Sequence, residues 1–186
     1  MYIIYMLKYF DTEGKYSFTR PFYAKKVTKV ISELSGIDRD SSILDGTCGL
    51  SGDTIHFSKF FNTVFSLEKN PERSLLALKN LEYNNITNVH LATGDILSLP
   101  DTLHFDVIYI DPPWGGPNYK KKKSVSLEMS GLPMNAVVQN VSKHCKYLVM
   151  KLPKNAENLD KSGFLYKKYK FIKFDILVLT KINIFQ

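Results

Sequence analysis

The sequence predicts an α/β fold, a mostly parallel seven-stranded sheet with helices on both faces. Short apolar runs rich in β-branched and aromatic residues recur seven times along the 186 residues. Segments of helical periodicity separate the early runs, an alternation that generates parallel strands joined by crossovers. Acidic residues also close or follow successive strands, at Asp45, Glu68, Asp95 and Asp111. In open α/β sheets, that rim is where ligands bind.

Each element has a local reason. Residues 1–20 read as an N-terminal arm and 21–186 as one domain. Met1 to Leu7 is apolar, too short to span a bilayer and without a basic leader, so it suggests an edge strand or docked arm. Tyr9 to Thr19 reads as a loop punctuated by Gly14. Pro21 can open a helix whose Val27, Val30, Ile31 and Leu34 share a face until Gly36, with Thr19 as its expected cap. The alternative for Thr19 is a contact at the mouth of the sheet. Strands follow at 42–45, 62–68 and 89–92. A glycine-rich turn leads to a helix from Thr54, and Asn70-Pro71 starts another that runs to Asn84-Asn85. Phe105 to Ile110 has the length and composition of a buried strand, Pro133 to Val141 of a helix, and Tyr147 to Met150 of a fifth strand that Lys151 to Asn155 leave as a loop. Phe164 to Phe185 reads as two strands joined near Asp175.

Composition narrows the chemistry. A net charge of +7 favours polyanionic partners, nucleic acid ahead of membrane because no basic amphipathic helix is evident, although a merely soluble basic protein has the same balance. The two cysteines, Cys48 and Cys145, form no metal spacing, and the histidines are scattered. An intracellular, reducing compartment (cytoplasm or nucleus), no metal and no membrane are therefore expected.

The stretch Asp45-Gly46-Thr47-Cys48-Gly49 through Gly52 combines an acid with glycines that permit close approach of a ligand. It lacks the Gly-Lys-Ser/Thr of a phosphate loop, and Asp45 would repel a pyrophosphate, so a positively charged ligand suits it better. Glu68 stands about twenty residues on, where nucleoside-binding α/β folds place a ribose carboxylate. Asp95-Ile96 can bond an adenine amino group and cover the ring. Asp111-Pro112-Pro113-Trp114 then offers a stiff polar clamp beside an indole, suited to a flat ring bearing an amine.

At these residues the chain resembles class I S-adenosylmethionine-dependent methyltransferases. The resemblance implies a Rossmann-like fold, S-adenosylmethionine as cofactor with S-adenosylhomocysteine as product, and a cofactor site at Thr19, Asp45, Gly46, Thr47, Cys48, Gly49, Glu68, Lys69, Asp95, Ile96 and Asp111. A finer similarity is to trimethylguanosine synthases, which methylate N2 of 7-methylguanosine RNA caps. Pro112-Pro113-Trp114-Gly115-Gly116-Pro117-Asn118-Tyr119, Gly14-Lys15-Tyr16-Ser17-Phe18-Thr19 and Leu152-Pro153-Lys154-Asn155-Ala156 carry it. It implies that Asp111, Pro112 and Trp114 act on the acceptor, that Trp114, Tyr119, Lys154 and Asn155 bind it, and that 7-methylguanosine-capped RNA is the partner. Three departures stand against it. Asp111 replaces a common serine and makes the Asp-Pro-Pro-Trp of adenine-N6 methyltransferases; Lys15-Tyr16 replaces an aromatic pair; and a short arm stands where a helical extension is usual. Adenine-N6 methylation of RNA or DNA, and a non-catalytic cap- or RNA-binding subunit, are thus the alternatives. A protein partner in place of the extension is left open, with the chain itself expected to be monomeric.

Overall fold

The computed structural model describes residues 7–182, which fall into two compact units, Met1–Ile96 and Leu97–Gln186. The expected arm at residues 1–6 and the strand tail at Asn183-Ile184 lie outside the described residues. A mostly parallel seven-stranded sheet and a separate two-stranded ribbon account for the strands, as the fold class requires.

In the first unit the order is α1 (Gly14–Ser17), α2 (Pro21–Ser32), β1 (Ile43–Asp45), α3 (Thr54–Phe57), β2 (Val64–Glu68), α4 (Pro71–Tyr83) and β3 (Val89–Thr93). The strands run parallel in the order β3-β2-β1, with Asp45 beside Ser66 and Glu68 beside Thr93. Ala24, Val27, Val30 and Ile31 form the buried stripe of α2. On α4, Pro71 occupies the first turn and the Asn70 side chain accepts from Arg73 N at 3.0 Å, while Asn85 adopts φ 54° beyond the end. Its inward face is Ser74, Ala77, Asn80 and Leu81; Leu75 and Leu78 face solvent. Asn80 is fully buried: its side-chain oxygen accepts from Lys8 N and Tyr9 N, and its amide donates to Tyr9 O and Leu50 O.

Two expectations for this unit are corrected. The stretch read as a loop from Tyr9 to Thr19 contains α1, because Asp11 accepts from Gly14 N at 2.6 Å and Arg73 pairs with both Asp11 and Glu13 at 2.7 Å. Thr19 is not the cap of α2. Arg20 holds that position without a side-chain bond, and Thr19 Oγ1 donates to Asp53 Oδ2 at 2.6 Å.

The second unit contains β4 (Phe105–Ile110), the ribbon β5 (Glu128–Met129) and β6 (Leu132–Pro133), α5 (Met134–Val141), β7 (Cys145–Pro153), β8 (Phe164–Lys170) and β9 (Phe174–Lys181). Its sheet order is β4-β7-β9-β8, with β4 and β7 parallel and β9 antiparallel to both neighbours. Residues buried on both faces, such as Val107 to Ile110 and Leu148 to Met150, explain the continuous apolar runs. Two corrections follow here as well. β7 continues through Pro153, which keeps Lys151 inside a strand, and Asp175 lies within β9, so the turn is at 171–173. The ribbon was not foreseen. Each of its strands pairs two residues, and its turn rests on positive φ at Ser130 and Gly131.

Candidate active site

Within the first unit, hydrogen bonds link the β1 turn to the acidic end of β2. Asp45 is 1% exposed; its Oδ2 accepts from Thr54 Oγ1 at 2.6 Å and its Oδ1 from Thr47 N at 3.3 Å. Glu68 Oε2 accepts from Gly49 N at 2.9 Å and Oε1 from Asn70 N at 2.8 Å, tying the turn to the start of α4. Burial raises the Glu68 carboxyl above its ordinary range, against the lowering effect of those backbone bonds and of Arg73. Gly46 and Cys48 are buried in the same turn, and Cys48 N donates to Leu67 O at 2.9 Å. The Cys48 thiol is pushed well up by burial and by the negative charges of Asp45 and Glu68, so it stays protonated and is no nucleophile.

The turn uses its glycines unequally. Gly49 takes φ 56°, and a Cβ there would meet nothing within 4 Å. Gly52 has another reason: its Cβ would stand 3.0 Å from the Thr19 carbonyl oxygen. The second left-handed residue of the turn is Ser51, at φ 70°. Beyond β3, Asp95 pairs with Lys69 at 2.9 Å, and the Ile96 side chain is buried.

Within the second unit, the parallel register Ile110 to Met150 puts the next residues, Asp111 and Lys151, side by side. Lys151 Nζ donates to Asp111 Oδ2 at 2.5 Å, although Lys151 is only 4% exposed. The same ammonium lies 5.4 Å from the ring centroids of both Trp114 and Phe174. Trp114 meets Tyr119 edge to face, with centroids 5.1 Å apart, and its buried indole N–H finds no acceptor among the described residues. Burial raises the Tyr119 phenol, with Lys151 opposing and Asp111 adding, so the hydroxyl stays protonated. Pro112 is buried, and Gly115 and Gly116 follow with φ 84° and 79°, releasing the chain into the 3₁₀ turn Pro117–Lys121.

The two other residues expected to bind the acceptor, Lys154 and Asn155, make bonds within this unit. Lys154 Nζ bonds Asp175 Oδ1 at 2.5 Å, and Asn155 Nδ2 donates to Tyr119 O and Lys122 O at 2.9 and 2.8 Å. Asn155 thereby braces the loop that carries Tyr119. Sequence reasoning missed Lys151 as the partner of Asp111 because it placed the end of β7 too early. An unbroken strand through Leu152 would have revealed it, since the two residues then match in register. Among the described residues no cluster of three or more His, Cys, Asp or Glu side chains could hold a metal, and no helix is long and apolar enough to cross a membrane.

These two groups of residues can be set beside known proteins. The family model of RNA cap guanine-N2 methyltransferases matches residues 40–172. The trimethylguanosine synthase of Schizosaccharomyces pombe is 28% identical over 155 residues, covering 79% of this chain and 63% of that protein. An uncharacterised protein of Acanthamoeba polyphaga mimivirus is 31% identical over 143 residues, 74% of this chain and 56% of its own length. The chain thus spans between half and two thirds of these relatives. Among solved structures, a Listeria monocytogenes protein assigned to the class I S-adenosylmethionine-dependent methyltransferases superposes with a TM-score of 0.69 at 16% identity, over 95% of this chain and 64% of that one. That likeness shows the fold to be the Rossmann-like class I methyltransferase fold. With the family model covering most of its length, the chain belongs to the RNA cap guanine-N2 methyltransferase family.

Proposed function

We propose that the protein transfers a methyl group from S-adenosylmethionine to the exocyclic N2 of a 7-methylguanosine RNA cap. The observation that carries this reading is Trp114 following β4 in the run Asp111-Pro112-Pro113-Trp114, in a chain of the cap guanine-N2 family. The residues of the first unit fit the cofactor by their chemistry. Asp45 and Glu68 bring negative charge and acceptors, and the backbone at Gly49 is open to close approach. Each Glu68 oxygen already accepts one backbone N–H and keeps a second acceptor direction for a ribose hydroxyl. Thr19, Thr47, Lys69, Asp95 and Ile96 would frame the same ligand, with Asp45 and Cys48 acting through the shape of the turn.

S-adenosylmethionine, when bound, supplies an electrophilic methyl on a sulfonium. The chain's own residues have to present a poor nucleophile, an amine whose lone pair is delocalised into a purine. Trp114 stacks on the base, and a cationic 7-methylguanine adds about 0.5–2 kcal/mol to that contact. The Asp111 carboxylate and the Pro112 carbonyl accept the two amine hydrogens, which favours the pyramidal nitrogen and aims its lone pair. Lys151 holds Asp111 in place as an acceptor, so positioning and electrostatics lessen the need for a strong base, and the proton that the nitrogen sheds on methylation passes to solvent. Tyr119 backs Trp114, with Asn155 bracing its loop, and the resemblance to the synthases gives Lys154 the cap phosphates.

Incubation with 7-methylguanosine triphosphate and labelled cofactor tests the proposal. Transfer to that compound and none to GTP is the expected result; equal transfer to both, or to neither even with RNA added, refutes it. Asp111 in the place of serine favours one competing reading, adenine-N6 methylation, and mass spectrometry of digested product separates the two by whether the added methyl lies on the 7-methylguanine or on an adenine.

The raised Glu68 carboxyl adds a pH test. Because its protonation sets in above the ordinary glutamate value of 4.5, affinity for S-adenosylhomocysteine is expected to fall on acidification with a midpoint above that value. Glu68→Gln should remove the inflection and bind weakly at every pH. The same shift makes the ionised side chain a cost to folding, incurred as pH rises through the unfolded and then the folded pKa. An unchanged midpoint in the Gln variant would assign the titration elsewhere.

A further inference from the structure

Residues 97–186 contain 14 lysines against 7 acidic side chains, whereas residues 1–96 balance 11 basic with 11 acidic ones. The whole net charge of +7 therefore belongs to the second unit. Its strand β8 reads Phe164-Leu165-Tyr166-Lys167-Lys168-Tyr169-Lys170 and, among the described residues, has a sheet neighbour, β9, on one side only. Tyr166, Lys168 and Lys170 lie opposite Leu179, Leu177 and Asp175, so the three share one face, repeating about every 6.8 Å along the strand. Lys154, from the end of β7, and Lys168 converge on the buried Asp175 carboxylate at 2.5 and 2.9 Å, which anchors the β7 end to this face.

Lysines on an edge strand also prevent strand-to-strand aggregation. That purpose does not call for the other exposed side chains here. On this face Tyr166 is 60% exposed with the Lys161 ammonium 5.2 Å from its ring, while the exposed Leu165 and the pair Lys167 and Tyr169 belong to the opposite face. A ring beside a row of cations matches a single-stranded nucleic acid, whose bases offer a stacking surface and whose phosphates carry negative charge.

We infer that the β8 face bearing Tyr166, Lys168 and Lys170, with Lys154 at its end, binds the RNA chain that follows the cap. The lysines meet phosphates, and Tyr166 offers a ring to a base. The inference rests on the proposed function for the cap, but not for the RNA.

Fluorescence anisotropy with a capped 10-nucleotide RNA, the same RNA without a cap, and 7-methylguanosine triphosphate tests it on the full chain. Lys168→Gln/Lys170→Gln is expected to weaken both RNAs roughly tenfold, to leave the cap nucleotide unchanged, and to flatten the salt dependence by about 1.4 in the log–log slope, two single-strand phosphates' worth. Tyr166→Ala and Lys170→Gln, both at exposed positions and neither one of the two lysines bonded to Asp175, should each weaken RNA a few-fold with an unaltered melting temperature. Undiminished RNA binding in all three variants overturns the inference. So does an equal loss with the cap nucleotide, which would put these lysines in the cap site, or an equal loss with polyglutamate, which would make the strand a general polyanion surface. Loss on RNA with no preference for the capped form leaves this surface standing and refutes the cap reading instead.

Discussion

Lys151→Met is expected to destabilise the protein by about 3 kcal/mol in urea titration, and adding Asp111→Ser to recover most of that loss. The ammonium is buried, bonds Asp111 at 2.5 Å and lies 5.4 Å from each of two aromatic rings. Removing one member of such a pair leaves the other charge uncompensated, which typically costs about 3–5 kcal/mol, whereas removing both is often neutral. Asp111 is partly exposed, which places the estimate at the low end. The pairing also bears on methyl transfer. Serine is what similar synthases commonly carry at the position of Asp111, so the double variant should regain more cap methylation than Lys151→Met alone. Single-variant losses that simply add would show that the two residues act independently, and the role given to Lys151 would fall.

Trp114→Ala should lower affinity for 7-methylguanosine triphosphate by more than tenfold while S-adenosylhomocysteine binds within twofold of wild type, both measured by calorimetry. Base stacking on an aromatic side chain is worth about 1–3 kcal/mol, and the cation on the base adds to it. Bonds within the first unit hold the turn from Asp45 to Gly52, so removal of the indole should leave it intact. Trp114→Phe separates stacking from other causes. The indole N–H makes no bond among the described residues, so phenylalanine should retain much of the affinity. A matched loss of cofactor binding in the alanine variant would mean that the acceptor pocket is wrongly assigned.

Much of this architecture was legible from the chain. β4 from Phe105 to Ile110, α3 from Thr54 and the Asn70-Pro71 start of α4 are set by local patterns: an apolar run, a glycine turn, a cap followed by proline. The ordered acids made the fold class readable before any coordinates. Harder to read were features fixed by residues distant in sequence. Thr19 looked like a cap because Pro21 follows it, yet its hydroxyl is engaged by Asp53, thirty-four positions on. Lys151 looked like loop because a lysine in a central strand is unusual, and its partner Asp111, just past the end of the neighbouring strand, makes it tolerable. Asp175 looked like a turn for the same kind of reason, and the two lysines that neutralise it come from β8 and the end of β7. Short-range patterns thus located the elements, while buried polar residues misled wherever their partner lay on another strand.

The lysine face of β8 has one more consequence. No arginine occurs between residues 97 and 186, so every cation available there is a compact ammonium rather than a planar fork. Ammonium groups grip phosphates as point charges, without the two-pronged geometry that registers a base edge or a fixed backbone angle. On the reading proposed above, a transcript held in that way would be gripped whatever its sequence and free to slip along the strand, as recognition of the terminus alone requires.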